Sequence, residues 1–439
     1  MRHHLFLGLS LLGTLVLSTA CEEEDLRGDW GLPSTATLSP TGVSLGTPTG
    51  PGEDPASSEE PASSEAPFDD LVLEVPPGWP LDEAYDCGPG EFSHPGSDAP
   101  VCHPLAHPDY GYEGFEPTET LEVGEAYPCS AEGLQDALDD AASGWTEVRI
   151  SESCDRIDVT ERIDLHGQTI LDGNGALLVL DGVVGNGLMA ADTGDVVVRN
   201  LEVDASGQRA GGPGEANALS FWQTGNILVE RVEVYGGVGS GLFVGGPPST
   251  DVTIRYSVFT DFGRHGIGVG INSDAHHYTV YSNFLDGNAQ IPSKGGLNLD
   301  TLGRDSEIAG NWVSNSGIRG AKFPGLSSSL IHSNAFVDNA MQGLFAHSTS
   351  EDLTIARNLF AGNGSFGTYV SMSTDQAYPV RLHLEDNVYA NGAHANGWND
   401  GGDSIGIGHS AVTLCGADVT EYQEGRVREW GGASVTPCD

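Results

Sequence analysis

Positively charged side chains are rare in this chain, and several of them fall close together. The sequence has 63 Asp and Glu against 18 Lys and Arg, a formal net charge of −45, and only two lysines, Lys294 and Lys322. Arg264, His265 and Arg319 occur in the segments around those lysines. Cationic groups bind carboxylates, and amines or imidazoles can transfer protons as general bases or acids. This cluster therefore predicts a site for an acidic ligand.

Each of these groups lies near a glycine that begins a short apolar alternation. His265 and Arg319 immediately precede such a glycine, Arg264 and Lys294 stand one position earlier, and Lys322 follows its glycine by two. The glycines are Gly241, Gly266, Gly296, Gly320, Gly343 and Gly367. If successive segments stack, the five groups converge near one corner of three neighbouring coils.

Alternation within these segments also predicts an outward face. If the leucines, isoleucine and valines point inward, the residues that alternate with them along each strand point outward. They are Phe243, Gly268, Asn298, Lys322, Phe345 and Tyr369, with Asp300 and His347 at the next outward positions. Aromatic rings suit the apolar C–H faces of sugars, and polar groups fix hydroxyls or carboxylates. We therefore expect an extended glycan to bind here.

Specific roles can be assigned on this face. The expected substrate-binding residues are Lys294, Arg264, Asn298, Phe345, His347 and Tyr369. Asn298, Asp300 and Asp274 offer the oxygen ligands that Ca²⁺ prefers, so Ca²⁺ is the one cofactor that these residues predict. The alternative interpretation is structural, with a salt bridge between Lys322 and Asp300 joining two coils and surface aromatics without a ligand.

A repeat is expected to position these residues. One column recurs from Leu201 to Asn387 at intervals of 31, 25, 26, 28, 23, 24 and 29 residues, each member three positions after an aliphatic residue. Its members are Leu201, Val232, Ser257, Asn283, Asn311, Asn334, Asn358 and Asn387. Such periods indicate a solenoid, and the β-branched, alternating segments indicate parallel strands. Stacked asparagines would satisfy buried polar groups from coil to coil.

These columns resemble the right-handed parallel β-helix (pectin-lyase-like) superfamily over residues 130 to 400. The match includes an amphipathic segment at residues 131–142, after the potential N-cap Ser130, and a helix there would cover the first coil. The resemblance implies an all-β parallel solenoid with an N-terminal helical cap. It does not fix an activity.

The leading function implied by the resemblance is a polysaccharide lyase that acts on uronate-containing glycans by β-elimination. In β-helix lyases Lys or Arg commonly serves as the base. Lys322 would take that role, Arg319 would neutralise the carboxylate, and His265 or His347 would be the acid.

Two other functions stay open. Asn298-Leu-Asp300, Arg264-His-Gly266 and Arg319-Gly-Ala-Lys322 are similar to fragments of polygalacturonase motifs, although their order differs and the carboxylate pair of a glycoside hydrolase is not evident. The other function is a non-catalytic surface protein that binds glycan or forms a rigid stalk. It predicts tolerance of Lys322 replacement.

The N-terminus predicts export. An apolar run from Leu5 to Leu17 ends at Ser18-Thr-Ala-Cys21, which resembles a bacterial lipobox and makes Cys21 the candidate lipidation site. Six further cysteines form an even set that fits an oxidising compartment. Sequence neighbourhood favours the pairs Cys87–Cys102, Cys129–Cys154 and Cys415–Cys438.

The expected organisation has five parts: a signal peptide (1–20), a disordered acidic tether (21–66), a small irregular cysteine-containing segment (67–128), the β-helix (129–400) and a C-terminal cap (401–439) with a short helix at 417–430. Residues 22–128 hold 24 acidic residues against the single Arg27. Because a basic footprint is missing, nucleic acid is excluded as a partner. A polysaccharide is the expected partner, with membrane contact only through a lipid anchor, and we expect a monomer.

Overall fold

A computed structural model describes residues 91–93, 102–104, 117–141, 144–211, 216–247, 249–270, 276–291, 294–299, 304–347, 350–371, 381–390, 404–408, 410–430 and 433–438. These residues lie within one compact unit, Glu74–Asp439. The predicted signal peptide, tether and Cys21 lie outside the described residues. Among the residues that are described, no helix is long and apolar enough to cross a membrane.

The described residues form 34 short strands and two helices. In chain order the strands are β1 (Glu91–Ser93), β2 (Cys102–Pro104), β3 (Glu119–Val123), β4 (Thr146–Ile150), β5 (Arg156–Val159), β6 (Ile163–Leu165), β7 (Thr169–Asp172), β8 (Leu177–Leu180), β9 (Leu188–Ala191), β10 (Gly194–Asp204), β11 (Leu219–Trp222), β12 (Gly225–Gly237), β13 (Leu242–Gly245), β14 (Thr250–Arg255), β15 (Val258–Phe262), β16 (Ile267–Val269), β17 (His276–Tyr281), β18 (Phe284–Asp286), β19 (Gly295–Leu299), β20 (Glu307–Ala309), β21 (Trp312–Ser314), β22 (Arg319–Pro324), β23 (Ser327–His332), β24 (Ala335–Val337), β25 (Leu344–His347), β26 (Glu351–Ala356), β27 (Leu359–Ala361), β28 (Thr368–Ser371), β29 (Arg381–Glu385), β30 (Val388–Ala390), β31 (Ile405–Gly408), β32 (Ala411–Cys415), β33 (Val427–Trp430) and β34 (Ser434–Pro437). The helices are α1 (Ala131–Asp140) and α2 (Ala417–Gln423).

Three parallel stacks of strands wind around one apolar core. The front sheet has 11 strands in the order β6-β9-β11-β13-β16-β19-β22-β25-β28-β31-β33. The other two stacks share the long strands β10 and β12, and each strand pairs in parallel with its counterpart in the next coil. This arrangement is a right-handed parallel β-solenoid of about 11 turns, so the predicted fold class is confirmed.

The predicted asparagine column is a continuous hydrogen-bonded ladder. The N–H and side-chain amide of Asn283 both donate to Oδ1 of Asn311, and the same pair of bonds repeats from Asn311 to Asn334, from Asn334 to Asn358 and from Asn358 to Asn387. We call these five residues the Asn ladder. It satisfies buried backbone groups at one interior corner, as predicted. A second, shorter ladder through Asn339 and Asn363 was not predicted.

Helix α1 lies where the sequence predicts it. The Ser130 side chain accepts a hydrogen bond from the Gly133 N–H at 3.1 Å, and Leu134 and Leu138 are buried in the core. Ser130 is therefore the N-cap. That α1 shields the first coil stays a prediction.

The C-terminal end differs from the expected cap. Helix α2 ends at Gln423 rather than at Trp430, because Gly425 follows it with a φ of +73°, a conformation that ends helices. The chain then forms β33, which pairs with β31 and extends the front sheet. Strand pairing thus continues past residue 400 into the segment assigned to the cap.

Two of the three predicted disulfides are present. Cys129 bonds to Cys154 and Cys415 bonds to Cys438. Cys87 lies outside the described residues, as does the side chain of Cys102, so their pairing stays a prediction.

Asp418 of α2 ends the Asn ladder. Its Oδ2 accepts the N–H of Asn387 at 3.0 Å and the side-chain amide at 3.1 Å, and its Oδ1 accepts the Tyr389 hydroxyl at 2.9 Å. Burial raises the pKa of Asp418 from 3.8 to about 7, despite these donors. The folded state therefore holds a proton that the unfolded chain releases near pH 4.

The raised pKa of Asp418 predicts a pH-dependent stability. Because the folded state binds the extra proton between about pH 4 and pH 7, its contribution is fully present below pH 4 and is lost as pH rises through 7. The free energy of unfolding in urea should be measured at pH 5 and at pH 8 for the wild type and for Asp418→Asn. It should fall more between pH 5 and pH 8 in the wild type than in the variant. Equal losses in the two proteins would contradict the prediction.

Candidate functional site

The predicted outward column exists on the front sheet. Register pairs link Gly268 with Asn298, Asn298 with Lys322, Lys322 with Phe345, and Phe345 with Tyr369. The alternate residues are buried inside: Leu242, Val244, Ile267, Val269, Leu297, Leu299, Leu344 and Ala346. Neighbouring strands lie about 4.8 Å apart, so these side chains form one row. We call the outer surface of β13 to β28 the front face.

Lys322 occupies the middle of this row. It is half-buried on β22, between Asn298 on one side and the Phe345 ring on the other. Its positive charge acts on two histidines, because it lowers the pKa of both His265 and His347. Lys322 thus lies near the middle of the row.

His265 is buried just before β16, two strands from the strand of Lys322, and is neutral. Its Nδ1 donates to the Gly295 carbonyl at 2.7 Å. Its ring covers Gly268, since a Cβ at that glycine would lie 3.0 Å from His265 Cδ2. Burial lowers the pKa of His265 to about 3, with further lowering by the charges of Lys294, Arg264 and Lys322.

His347 is the last residue of β25, two positions after Phe345 of the row. It pairs in register with Pro324, and its ring stacks on Phe345 with 4.5 Å between centroids. Burial lowers the pKa of His347 to about 3, and the charges of Lys322 and Arg319 add to this effect. Both histidines are therefore neutral at physiological pH.

Arg319 is a buried cation at the edge of the row. Its Nε donates to Gln342 Oε1 at 2.9 Å, and its Cζ lies 4.6 Å from the centroid of the Phe345 ring. Burial lowers the pKa of Arg319 to about 10, so the guanidinium still carries its charge at neutral pH. Gln342 was missed in the sequence; its position immediately before Gly343, equivalent to that of Arg319, was the available signal.

Aromatic side chains continue the row beyond Lys322. The Phe345 and Tyr369 centroids are 5.0 Å apart, and Phe366 stacks on Tyr369 at 5.3 Å. Burial is the main cause of the raised pKa of Tyr369. Phe366 was not predicted, although it also precedes a glycine of the repeat.

The remaining predicted residues divide into two groups. Arg264 and Lys294 are half-buried and lie close enough to His265 to lower its pKa. Asp300 and Asp274 lie outside the described residues, so Asn298, which is buried, is the single Ca²⁺ ligand candidate that the structure describes. The predicted Ca²⁺ site and the alternative Lys322–Asp300 salt bridge both stay predictions.

The front face combines cations, neutral imidazoles and aromatic rings. Its described outward positions on β16 to β28 carry no carboxylate: they are Gly268, Asn298, Lys322, Pro324, Phe345, His347, Tyr369 and Ser371. In a chain of net charge −45, this local excess of positive charge suits an anionic ligand. The flat row of rings suits a ligand that is extended along the solenoid.

Comparisons with known proteins agree with the fold. Residues 217–387 match the family model described as "Right handed beta helix region". The surface protein and adhesin PfbA of Streptococcus pneumoniae is similar in structure, with a TM-score of 0.51, 13% identity, and coverage of 72% of this chain and 96% of that chain. By fold, this chain is a right-handed parallel β-helix protein, so the fold that the resemblance implies is confirmed.

Two other solved structures are similar at lower scores. The periplasmic alginate epimerase AlgG gives a TM-score of 0.43, 12% identity and coverage of 73% of each chain. The A-module of Azotobacter vinelandii mannuronan C-5 epimerase AlgE6 gives 0.42, 16% identity, and coverage of 72% of this chain and 99% of that chain. No curated protein sequence matches the chain. At these identities the likeness concerns the fold alone.

Proposed function

We propose that the front face binds a uronate-containing polysaccharide and that the protein cleaves it by β-elimination. The observation that carries the proposal is the placement of Lys322 between two neutral histidines, beside the buried cation Arg319 and the Phe345 ring. Charged, polar and aromatic groups of this kind are those that recognise an acidic sugar chain.

Arg319 is suited to neutralise the uronate carboxylate. It keeps its charge despite burial, and the Gln342 side chain and the Phe345 ring fix its orientation. A guanidinium forms strong, directional bonds to carboxylates. Neutralising the carboxylate makes the adjacent C5 proton easier to remove, which is the first requirement of β-elimination.

Lys322 is the proposed base that removes the C5 proton. It is the half-buried outward amine at the centre of the row, whereas the two histidines, with pKa values of about 3, are weak bases. To act as the base, the amine must be in its neutral form when it meets the C5 proton. Its described neighbours include the Phe345 ring, its register partner, and Arg319 of the same strand.

One histidine, in its neutral form, is proposed to contact the leaving oxygen. Nδ1–H of His265 is committed to the Gly295 carbonyl, so the N–H of neutral His347 is the better candidate to hydrogen-bond this oxygen. Catalysis by an imidazolium would need a pH near 3. We therefore assign proton donation to a solvent water, which protonates the leaving oxygen.

A non-catalytic glycan-binding surface protein is the second candidate. It is favoured by one observation, the low pKa of both histidines, because these described side chains then offer no proton-donating imidazolium at neutral pH. A glycoside hydrolase has less support, since the described outward positions on β16 to β28 lack its carboxylate pair.

The proposed activity can be tested directly. Incubation with pectate, alginate and glycosaminoglycans, each with Ca²⁺ or with a chelator, should produce 4,5-unsaturated uronates from at least one polymer, measured by their ultraviolet absorbance. Dependence on Ca²⁺ would support the ligand set that includes Asn298. Binding without product would favour the surface protein, and neither binding nor product on any polymer would overturn the proposal.

We further propose that the protein is exported and anchored through a lipid on Cys21. The disulfides Cys129–Cys154 and Cys415–Cys438 fit an oxidising compartment. Mass spectrometry of the mature protein should find an acylated N-terminal cysteine. An unmodified N-terminus downstream of Cys21 would leave secretion without an anchor.

A further inference from the structure

Two aromatic side chains lie on the front sheet on the N-terminal side of Lys322. Trp222 is the last residue of β11 and is 39% exposed, and Phe243 is an outward, half-buried residue of β13. Register pairs Trp222 with Gly245, two residues after Phe243. We call Trp222 and Phe243 the aromatic platform. It is continuous with the row that leads through Gly268 and Asn298 to Lys322.

Glycines allow both rings to lie against the sheet. A Cβ at Gly245 would lie 2.6 Å from Phe243 Cε1 and 3.0 Å from Trp222 Cζ3, and one at Gly270 would overlap Phe243 Cζ. A Cβ at Gly246 would lie 2.9 Å from Trp222 Cε2. Any side chain at these positions would displace a ring. The backbone beneath the platform therefore accommodates rings that lie over it.

We propose that the aromatic platform is a sugar-stacking subsite for the same polysaccharide that binds at Lys322. This inference rests on the proposed function and extends it. Phe243 is three strands from Lys322 and Trp222 is four, or about 14 and 19 Å at the usual strand spacing. A chain of several sugar units spans that distance along the front face, whereas a disaccharide at Lys322 does not reach the platform.

The platform should hold a sugar by its apolar face. The described outward residues around the two rings include Ser220, Gly245, Gly268 and Gly270, and none of these four is charged. Trp222 and Phe243 thus provide ring contact without a group that selects a carboxylate. We therefore assign affinity to the platform and recognition of acidic sugars to the cations near Lys322.

The test is the dependence of affinity on chain length. Calorimetric titration with di-, tetra- and octasaccharides of galacturonate and of mannuronate should show that Trp222→Ala and Phe243→Ala weaken octasaccharide binding by roughly 3- to 10-fold, a typical gain for one ring contact. Disaccharide binding should stay unchanged. Trp312→Ala, which removes a half-buried outward tryptophan on β21 of another sheet, is the matched control and should change neither.

Two further variants separate ring contact from loss of folding. Trp222→Phe should restore most of the octasaccharide affinity. Gly270→Ala keeps both aromatic residues but forces the Phe243 ring to move, so it should reproduce the length-dependent loss. Far-ultraviolet circular dichroism and thermal unfolding should show each variant folded.

The outcomes distinguish failure of the subsite from failure of the proposed function. If octasaccharide affinity is unchanged in Trp222→Ala and Phe243→Ala, while Lys322→Ala still reduces disaccharide binding, the subsite is overturned and the proposed function stands. If the wild type binds no uronate oligomer but binds cellohexaose in a Trp222-dependent way, the subsite stands and the acidic substrate is overturned. Binding of none of these probes overturns both.

Discussion

Replacement of Lys322 by alanine is expected to lower turnover by about 10² to 10⁴ on any polymer that the wild type cleaves, the usual range for loss of a general acid or base. The physical reason is that Lys322 is the central outward amine of the front face, while His265 and His347, with pKa values of about 3, are weak substitutes as bases. Initial rates of 4,5-unsaturated uronate formation measure the effect. Folding should be preserved, because the Lys322 side chain is outward and half-buried.

Lys322→Arg separates the two possible roles of this cation. Arginine keeps the positive charge but does not lose its proton at neutral pH. If Lys322 is the base, Lys322→Arg should bind substrate and fail to turn it over. If Lys322 only holds a carboxylate, Lys322→Arg should retain most of the activity, and Lys322→Ala should lose about 1.5 to 3 kcal/mol of binding free energy.

The control for this experiment is Arg156→Ala. Arg156 is an exposed cation that pairs with Asp158 at 2.7 Å on β5, in another sheet. Its removal changes net charge by the same amount as Lys322→Ala and should leave turnover unchanged. Unchanged binding and activity in both Lys322→Ala and Arg319→Ala would remove the proposed site and favour a rigid stalk.

The solenoid and the outward row could be predicted because both depend on simple periodicities. Side chains alternate with a period of two, and parallel coils stack in register, so one correctly aligned glycine column places Asn298, Lys322, Phe345 and Tyr369 in a row. The same periodicity predicted the Asn ladder. Both patterns can be recognised from residue spacing along the chain.

Burial within the site could not be predicted in the same way. His265 and Arg319 read as corner residues in the sequence, where exposure is the usual state, but each is about 5% exposed or less. Their burial depends on neighbours in other coils: Gly268 leaves room for the His265 ring, and Phe345 lies beneath the Arg319 guanidinium. Burial sets the pKa of both histidines. Since burial could not be predicted from the sequence, neither could the protonation state of the imidazole that was assigned as the acid.

The aromatic platform shows a related limit. Alternation predicted that Phe243 points outward, but the lateral position of its ring depends on Gly245 and on Gly270 in the next coil. Trp222 was overlooked because its coil lacks the leading glycine that aligned the others. The available signal was a glycine in the next coil beside each ring: Gly245 for Trp222 and Gly270 for Phe243.

Interruption of the Asn ladder is expected to cause a large loss of stability. Asn334 is fully buried; its side-chain amide donates to the Ile308 and His332 carbonyls, and its Oδ1 accepts the N–H of Asn311 at 2.9 Å. Asn334→Ala leaves the Asn311 N–H without this acceptor and takes a donor from both carbonyls. Each unsatisfied buried group costs about 1 to 3 kcal/mol, so we expect a total loss of about 3 to 5 kcal/mol in the free energy of unfolding.

Urea unfolding followed by circular dichroism measures this loss. Thr354→Ala, at a half-buried outward position on β26, is the control and should change stability by about 0.5 kcal/mol or less. Asn334→Asp keeps an acceptor for Asn311 but removes both donors and buries a carboxyl group, so it should also destabilise, and more at pH 8 than at pH 5. If Asn334→Ala unfolds like the Thr354 control, hydrogen bonding along the ladder does not hold the coils together, and apolar packing of the inward residues alone would have to account for the stability of the solenoid.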